Sequence, residues 1–100
     1  MSYIFNVSFY VNPSFEEKWS AWFKECFSDN TFPADVKQPE VFEVISETPG
    51  DFTVFSAQWK CSSTEVLEEL DEYMAAFLQQ LPRLFGEDIT HFSSVLKQIT

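Results

Sequence analysis

The residues able to do chemistry are few and widely spaced. The chain holds one histidine, His91, and two cysteines, Cys26 and Cys61, in 100 residues. A histidine that acts as a general base needs a group that orients it and a nucleophile or substrate to serve. No serine or cysteine lies in a nucleophile motif, so we interpret His91 as a strand residue on a half-polar surface.

The acidic residues form neither a metal motif nor an acid–base pair. Adjacent carboxylates such as Glu16 and Glu17 diverge around a helix instead of converging on one point. Asp88 and His91 could supply two ligands to a metal, but no third ligand lies nearby in the sequence. We therefore predict no catalytic residue, no metal and no cofactor.

The cysteines and the N-terminus indicate the compartment. Two thiols without close spacing are typical of small buried hydrophobes in a reducing environment. A redox pair is the alternative, and it requires Cα atoms within about 7 Å. The N-terminus has no signal-peptide features, and no apolar run approaches the roughly 20 residues that span a bilayer. We expect a cytoplasmic protein.

The charge balance excludes two classes of partner. Six Lys and Arg residues stand against 16 Asp and Glu residues, which gives a net charge of −10. Nucleic acids and anionic membranes are recognised by clustered basic residues, so we expect neither as a partner. The acidity favours solubility. The length and the 45% hydrophobic content predict a single domain over residues 1–100.

Hydrophobic periodicity predicts six elements. Alternation indicates strands over 3–11, 40–47, 52–60 and 89–99, and a 3.6-residue period indicates helices over 14–28 and from residue 62 to about 85. Ser14 with Glu17, and Ser62 with Glu65, match capping boxes at the two helix starts. Pro82 is expected to kink or end the second helix, and Gly86 to terminate it.

The order strand–helix–strand–strand–helix–strand predicts an α+β, ferredoxin-like (βαββαβ) fold. Right-handed, unknotted connections then give a four-stranded antiparallel sheet with both helices on one face and the first and third strands in the centre. Trp22 is expected to be largely buried between helix and sheet, on one stripe with Phe15, Trp19 and Phe23. The other face of the sheet is left bare.

The bare face is the candidate site. If the apolar residues of the two central strands point to the helices, the opposite side carries Asn6, Ser8, Tyr10, Ser56 and Gln58. We expect Tyr10 and Gln58 to be near neighbours there. Such a face suits a small-molecule ligand, a hydrated dimer contact or plain solvation, and the last two explanations together outweigh the first.

Segments 3–7, 17–22, 44–46 and 55–59, together with Phe92, form a pattern of mostly aromatic residues at strand and helix positions. In these residues the chain resembles an uncharacterised family of short bacterial proteins, the domain of unknown function 4286. The resemblance implies a ferredoxin-like fold and a bacterial, cytoplasmic origin, but no activity. Relatives often carry histidines in the first helix, where this chain has Glu16 and Phe27. A metal or acid–base role at those positions therefore does not carry over, whereas Gln58 matches the family pattern.

The leading hypothesis is a non-catalytic, structural or partner-binding domain that forms a homodimer through the bare face, as a dimeric α+β barrel. Two alternatives remain open. Dimeric barrels of this plan resemble cofactor-independent monooxygenases, which would require an enclosed pocket of roughly 300 Å³ or more with converging polar groups. A small-molecule sensor would place an unidentified ligand at the dimer interface.

Overall fold

The computed structural model describes residues 2–27, 38–45 and 50–100. The strands are β1 (Tyr3–Val11), β2 (Glu40–Glu43), β3 (Thr53–Cys61) and β4 (Ile89–Lys97), and the helices are α1 (Glu16–Cys26), α2 (Thr64–Leu78) and α3 (Gln80–Phe85). Short 3₁₀ turns occupy Pro13–Phe15 and Gly86–Asp88. The last residue of the first predicted helix, 28, and the last two of the second predicted strand, 46–47, lie outside the described residues.

The four strands form one sheet in the order β2-β3-β1-β4, and every neighbouring pair is antiparallel. β1 and β3 are central, as the order of elements predicts. The predicted α+β plan is therefore confirmed. β2 is shorter than predicted, although the Val44 amide donates to the Val54 carbonyl at 2.8 Å and continues the pairing by one residue.

The core lies between the helices and one face of the sheet. The apolar residues of β1 that alternate along the strand, Phe5, Val7, Phe9 and Val11, are all buried. On β3 the same face carries Ala57 and Trp59, also buried. Aromatic side chains of α1 and of its C-cap cover them: Phe9 lies 5.2 Å from Trp19, and Trp59 lies 5.4 Å from Phe27, between ring centroids. Alternation in the sequence thus identified the buried face of both central strands.

The caps of both helices differ by one or two residues from the prediction. Asn12, not Ser14, begins the first helical segment, because its side chain accepts a hydrogen bond from the Ser14 amide at 3.1 Å. Pro13 follows it and needs no partner for a backbone N–H. At α2 the cap is Ser63, whose hydroxyl accepts from the Val66 amide at 3.3 Å. Glu65 consequently lies in the first turn, where a negative charge suits the helix dipole.

The second helical region is divided in two near Pro82. α2 ends at Leu78, four residues before Pro82, and α3 begins at Gln80. The proline ring clashes with the carbonyl of the residue four positions earlier, which explains why the break falls there. Gly86 ends α3 with φ 59° and ψ −128°, a backbone conformation that side-chain-bearing residues rarely adopt.

Trp22 is less buried than predicted. It is only partly buried and stacks on Phe77, with ring centroids 4.7 Å apart and an interplanar angle of 16°. Trp19 and Phe23 instead form the deeply buried stripe of α1, with exposed fractions of 3% and 5%. Trp22 therefore packs between α1 and α2. The stripe of α1 that faces the sheet contains Trp19 and Phe23, and Trp22 lies beside this stripe.

Candidate binding face

The side of the sheet away from the helices, here called the open face, carries its side chains in rows across the strands. One row is Phe92–Ser8–Ser56–Phe42, from β4 to β2. The next is Ser94–Asn6–Gln58–Glu40. Since directly opposite residues of antiparallel strands point to the same side, each row is a line of neighbours. The structure thus brings together four of the five predicted residues.

Tyr10 lies away from that centre. Its partners in register are Val54 and Thr90, whereas Gln58 is opposite Asn6. Four residues along a strand separate the two rows by about 13 Å. The expectation that Tyr10 and Gln58 are near neighbours is wrong, because the register between β1 and β3 was not determined by the sequence pattern alone.

A network of uncharged polar groups fills the middle of the open face. The Ser56 hydroxyl donates to Asn6 Oδ1 at 2.5 Å and is itself 9% exposed. Asn6 Nδ2 lies 3.4 Å from both Ser8 Oγ and Ser94 Oγ, and Gln58 Nε2 donates to Ser56 Oγ at 3.4 Å. Bonds at 3.4 Å are long for N–H···O. The amides therefore retain donor and acceptor capacity for a further partner.

Exposed apolar side chains flank this network. Phe92 on β4 is 64% exposed and Phe42 on β2 is 47% exposed, so both rings stand beside the two central serines. With strands about 4.8 Å apart, the two phenylalanines are roughly 14 Å from each other. Tyr10 and Leu96 add exposed apolar surface at the two ends. The two central serines therefore lie between two exposed phenylalanine side chains, one on each outer strand.

The open face is nearly free of carboxylates. Among the strand residues that the structure describes, Glu40 is the one acid on this side, and its carboxylate pairs with Lys60 Nζ at 3.4 Å near the outer edge. Both side chains are well exposed, so the pair contributes little to stability. In a chain with 16 acidic residues, the strand residues that the structure describes thus give this face little negative charge.

The sequence pattern does not place the outer-strand members of this surface there, among them Phe42, Phe92 and Ser94. β4 reads ITHFSSVLK, in which apolar residues do not alternate strictly, so its two faces could not be assigned. β2 carries apolar and acidic residues on both sides, with all four side chains exposed. Only the register with β1 and β3 fixes which residues of the outer strands join the open face.

The remaining reactive groups do not converge. Both cysteines are free thiols, and burial raises the pKa of each. Burial also lowers the pKa of His91. The Asp88 carboxylate accepts a hydrogen bond from Asn12 Nδ2 at 3.2 Å. Within residues 2–27, 38–45 and 50–100, no group of three or more His, Cys, Asp or Glu residues is arranged to hold a metal.

A cleft of about 560 Å³ lies on the helix side of the sheet, beside α1. Trp19, Phe55 and Val41 give it apolar walls, and its charged groups, Glu16, Glu17 and Lys24, all come from α1. Glu16 is occupied by a hydrogen bond from the Thr53 hydroxyl. The cleft is open to solvent, and the charged and hydroxyl side chains that line it in the described part of the chain all come from α1. The monooxygenase-like alternative requires an enclosed pocket with converging polar groups.

One comparison with known proteins supports the fold, and none assigns an activity. No curated protein matches the chain. The solved structure of a de novo designed protein, Foldit4, is similar over 99% of this chain and 100% of its own, with a TM-score of 0.65 and 10% sequence identity. At that identity the likeness shows the fold alone. In the described part of the chain, no helix is long and apolar enough to cross a membrane. A family model matches residues 2–99, so the chain belongs to the family described as Domain of unknown function (DUF4286).

Proposed function

We propose that this protein is a non-catalytic binding domain whose open face pairs with the open face of a second copy. The observation that carries the proposal is the composition of that face. Phenylalanine side chains are exposed on its two outer strands, and its centre consists of uncharged amides and hydroxyls. Its single carboxylate among the described strand residues lies at the margin and is paired with a lysine. Apolar surface with few charges at its centre is what protein interfaces use.

The chemistry of the centre suits pairing with itself. A two-fold axis brings the same patch of each copy together, so each group must complement its own kind. The Asn6 and Gln58 amides and the serine hydroxyls are donors and acceptors at once, and meet this condition. Carboxylates would not, because two copies of an unpaired acid repel each other. Their scarcity on this face supports a second copy as the partner.

The available area is sufficient for a modest dimer. Four strands about 4.8 Å apart and up to nine residues long, at about 3.3 Å per residue, give a face of roughly 550 Å² before side-chain relief is counted. Specific interfaces bury about 800 Å² per partner, and weaker ones bury less. We therefore expect a dimer that forms at micromolar or higher protein concentration.

The test is an arginine in the middle of the face. Ser8→Arg would bring two unpaired charges into the paired surface, which costs several kcal/mol. The fold should survive, since the core lies on the other side of the sheet. Ala75→Arg on the exposed side of α2 is the matched control. Light scattering should give wild type and Ala75→Arg at least twice the chain mass of 11.7 kDa, and Ser8→Arg a clearly lower mass at the same concentration.

Two results would refute the pairing. One is a wild-type protein that stays monomeric at several hundred micromolar. The other is a folded Ser8→Arg protein whose mass equals that of wild type at every concentration, which would move the interface elsewhere. Circular dichroism of both variants establishes that the fold is intact.

A further inference from the structure

The outer strand β4 is exposed on both of its faces. His91, Ser93 and Val95 share the helix side of the sheet with Phe9, Val7 and Phe5 of β1, to which they are paired in register. The three β1 residues are buried, whereas the three β4 residues are exposed. The helices thus cover β1 and leave these β4 residues, here called the β4 shelf, without cover.

The backbone of the β4 shelf points outward. At the two ends of the strand pair, the Gln98 amide donates to the Ser2 carbonyl at 2.9 Å, and the Asp88 carbonyl accepts from the Asn12 amide at 2.8 Å. Bonding residues alternate along an antiparallel strand, so the even-numbered residues of β4 bond to β1. The odd-numbered residues, including all three of the shelf, direct their N–H and C=O groups to the free edge, because β4 is the last strand of the sheet.

The two edges of the sheet are protected very differently. β2 is four residues long and carries Glu40 and Glu43, and short, charged edges resist pairing with other chains. β4 is nine residues long, has no proline and no carboxylate, and has one full charge, Lys97, at its end. It therefore has none of the features that usually prevent strand addition along most of its length.

We propose that β4 is a second interface, at which the strand pairs antiparallel with β4 of another copy about a two-fold axis at Ser93. His91 then lies opposite the partner's Val95, and Phe92 lies opposite the partner's Ser94. The pairing joins two four-stranded sheets into one of eight strands and places the two shelves side by side.

The charge distribution identifies a second copy as the occupant. Two molecules of net charge −10 repel each other at most of their surface. Pairing at β4 brings no carboxylate of one strand against a carboxylate of the other, since the strand has none. The register also matches the backbone: centring on Ser93 sets outward-pointing residues of one copy opposite outward-pointing residues of the other, as an antiparallel ladder requires.

This inference goes beyond open-face pairing and is separable from it. Molecules that use both surfaces assemble beyond a dimer, and each surface has its own variant. Ser93→Pro removes an outward N–H group while leaving the bonds between β4 and β1, and Ser93→Ala at the same position keeps that group. Ser8→Arg disables the open face alone. Sedimentation velocity over a concentration series compares the four proteins.

We expect wild type and Ser93→Ala to form species heavier than a dimer, Ser93→Pro to stop at a dimer, and Ser8→Arg to form a dimer through β4. A wild-type dimer that Ser8→Arg retains and Ser93→Pro loses would uphold β4 pairing and refute the open-face proposal. Identical masses for wild type and Ser93→Pro at every concentration would overturn β4 pairing.

Amide hydrogen exchange of the wild-type protein tests the same interface without a variant, should Ser93→Pro fail to fold. Exchange of the Ser93 and Val95 amides should slow at least tenfold between low and high micromolar protein, because pairing protects their outward N–H groups. Exchange at these two amides that is rapid and independent of concentration would overturn the proposal.

Discussion

At the scale of single residues, the most buried side chains of α1 belong to one aromatic stripe. Trp19 is 3% exposed, stacks on Phe55 at 4.7 Å between ring centroids and lies 5.2 Å from Phe9. Trp22, three residues later, is only partly buried. Two tryptophans of one helix therefore contribute differently to stability, although the sequence places both on its apolar side.

The two tryptophans make a matched pair for mutation. Trp19→Ala should lower the free energy of unfolding by about 3–5 kcal/mol, since it leaves a large cavity between helix and sheet. Trp22→Ala should cost clearly less, because solvent already reaches its position. Chemical denaturation of both variants measures the difference, and a larger loss for Trp22→Ala would contradict the assigned faces of α1.

His91 gives a pH-dependent prediction. His91 is exposed as a residue, but partial desolvation of its imidazole lowers the pKa below the ordinary 6.5. The folded protein therefore binds fewer protons at this site than the unfolded chain just below that pH. This group therefore reduces stability as the pH falls through 6.5, and its effect levels off below the folded pKa. As the one histidine, its imidazole proton is readily assigned by NMR. We expect a titration midpoint under 6.5, and a midpoint at or above that value would contradict the prediction.

At the scale of elements, capping residues, proline and glycine determine where the helices begin and end. Asn12, Ser63, Pro82 and Gly86 together fix four helix boundaries, each through a hydrogen bond or a backbone restriction. Capping boxes predicted helix starts close to the observed ones but misplaced the capping residue, because neighbouring Asn and Ser residues offer equivalent oxygens.

The adjacent serines before α2 allow the cap to be tested. Ser63→Ala should lower the free energy of unfolding by about 1 kcal/mol, since the Val66 amide loses its acceptor. Ser62→Ala is the control, because Ser62 is exposed and precedes the cap; we expect a change within about 0.5 kcal/mol. Thermal or urea unfolding compares the two, and a Ser62→Ala loss that exceeds the Ser63→Ala loss would place the cap at Ser62.

The fold could be read from the sequence more completely than the candidate site could. Strict alternation in β1 and partial alternation in β3 identify the buried face, and the order of elements yields the strand order. The outer strands were different: β4 is exposed on both sides, so no burial pattern marks its faces. The two exposed phenylalanines of the open face, Phe42 and Phe92, belong to those strands. Only the register with the central strands shows that they lie on this face.

At the scale of the whole molecule, a strongly acidic chain keeps its carboxylates away from one broad surface. The helices carry much of the negative charge. α2 alone has five acidic residues: Glu65, Glu68, Glu69, Asp71 and Glu72. The open face carries an amide and serine network between exposed phenylalanines instead. In the proposed pairing, this asymmetry would disfavour most orientations of two copies and favour contact through the open face, which is how charge contributes to specificity.

The most direct test of open-face pairing is the detection of cross-chain contacts in a mixed sample. Uniformly ¹³C-labelled protein is mixed with unlabelled protein at high concentration, and isotope-filtered NOE spectra select contacts between copies. Phe42 and Ile4 are the residues to observe, since both contribute to the open face and neither lies on β4. We predict cross-chain NOEs from both side chains. Cross-chain NOEs confined to β4 or the helices, or none at all, would contradict open-face pairing.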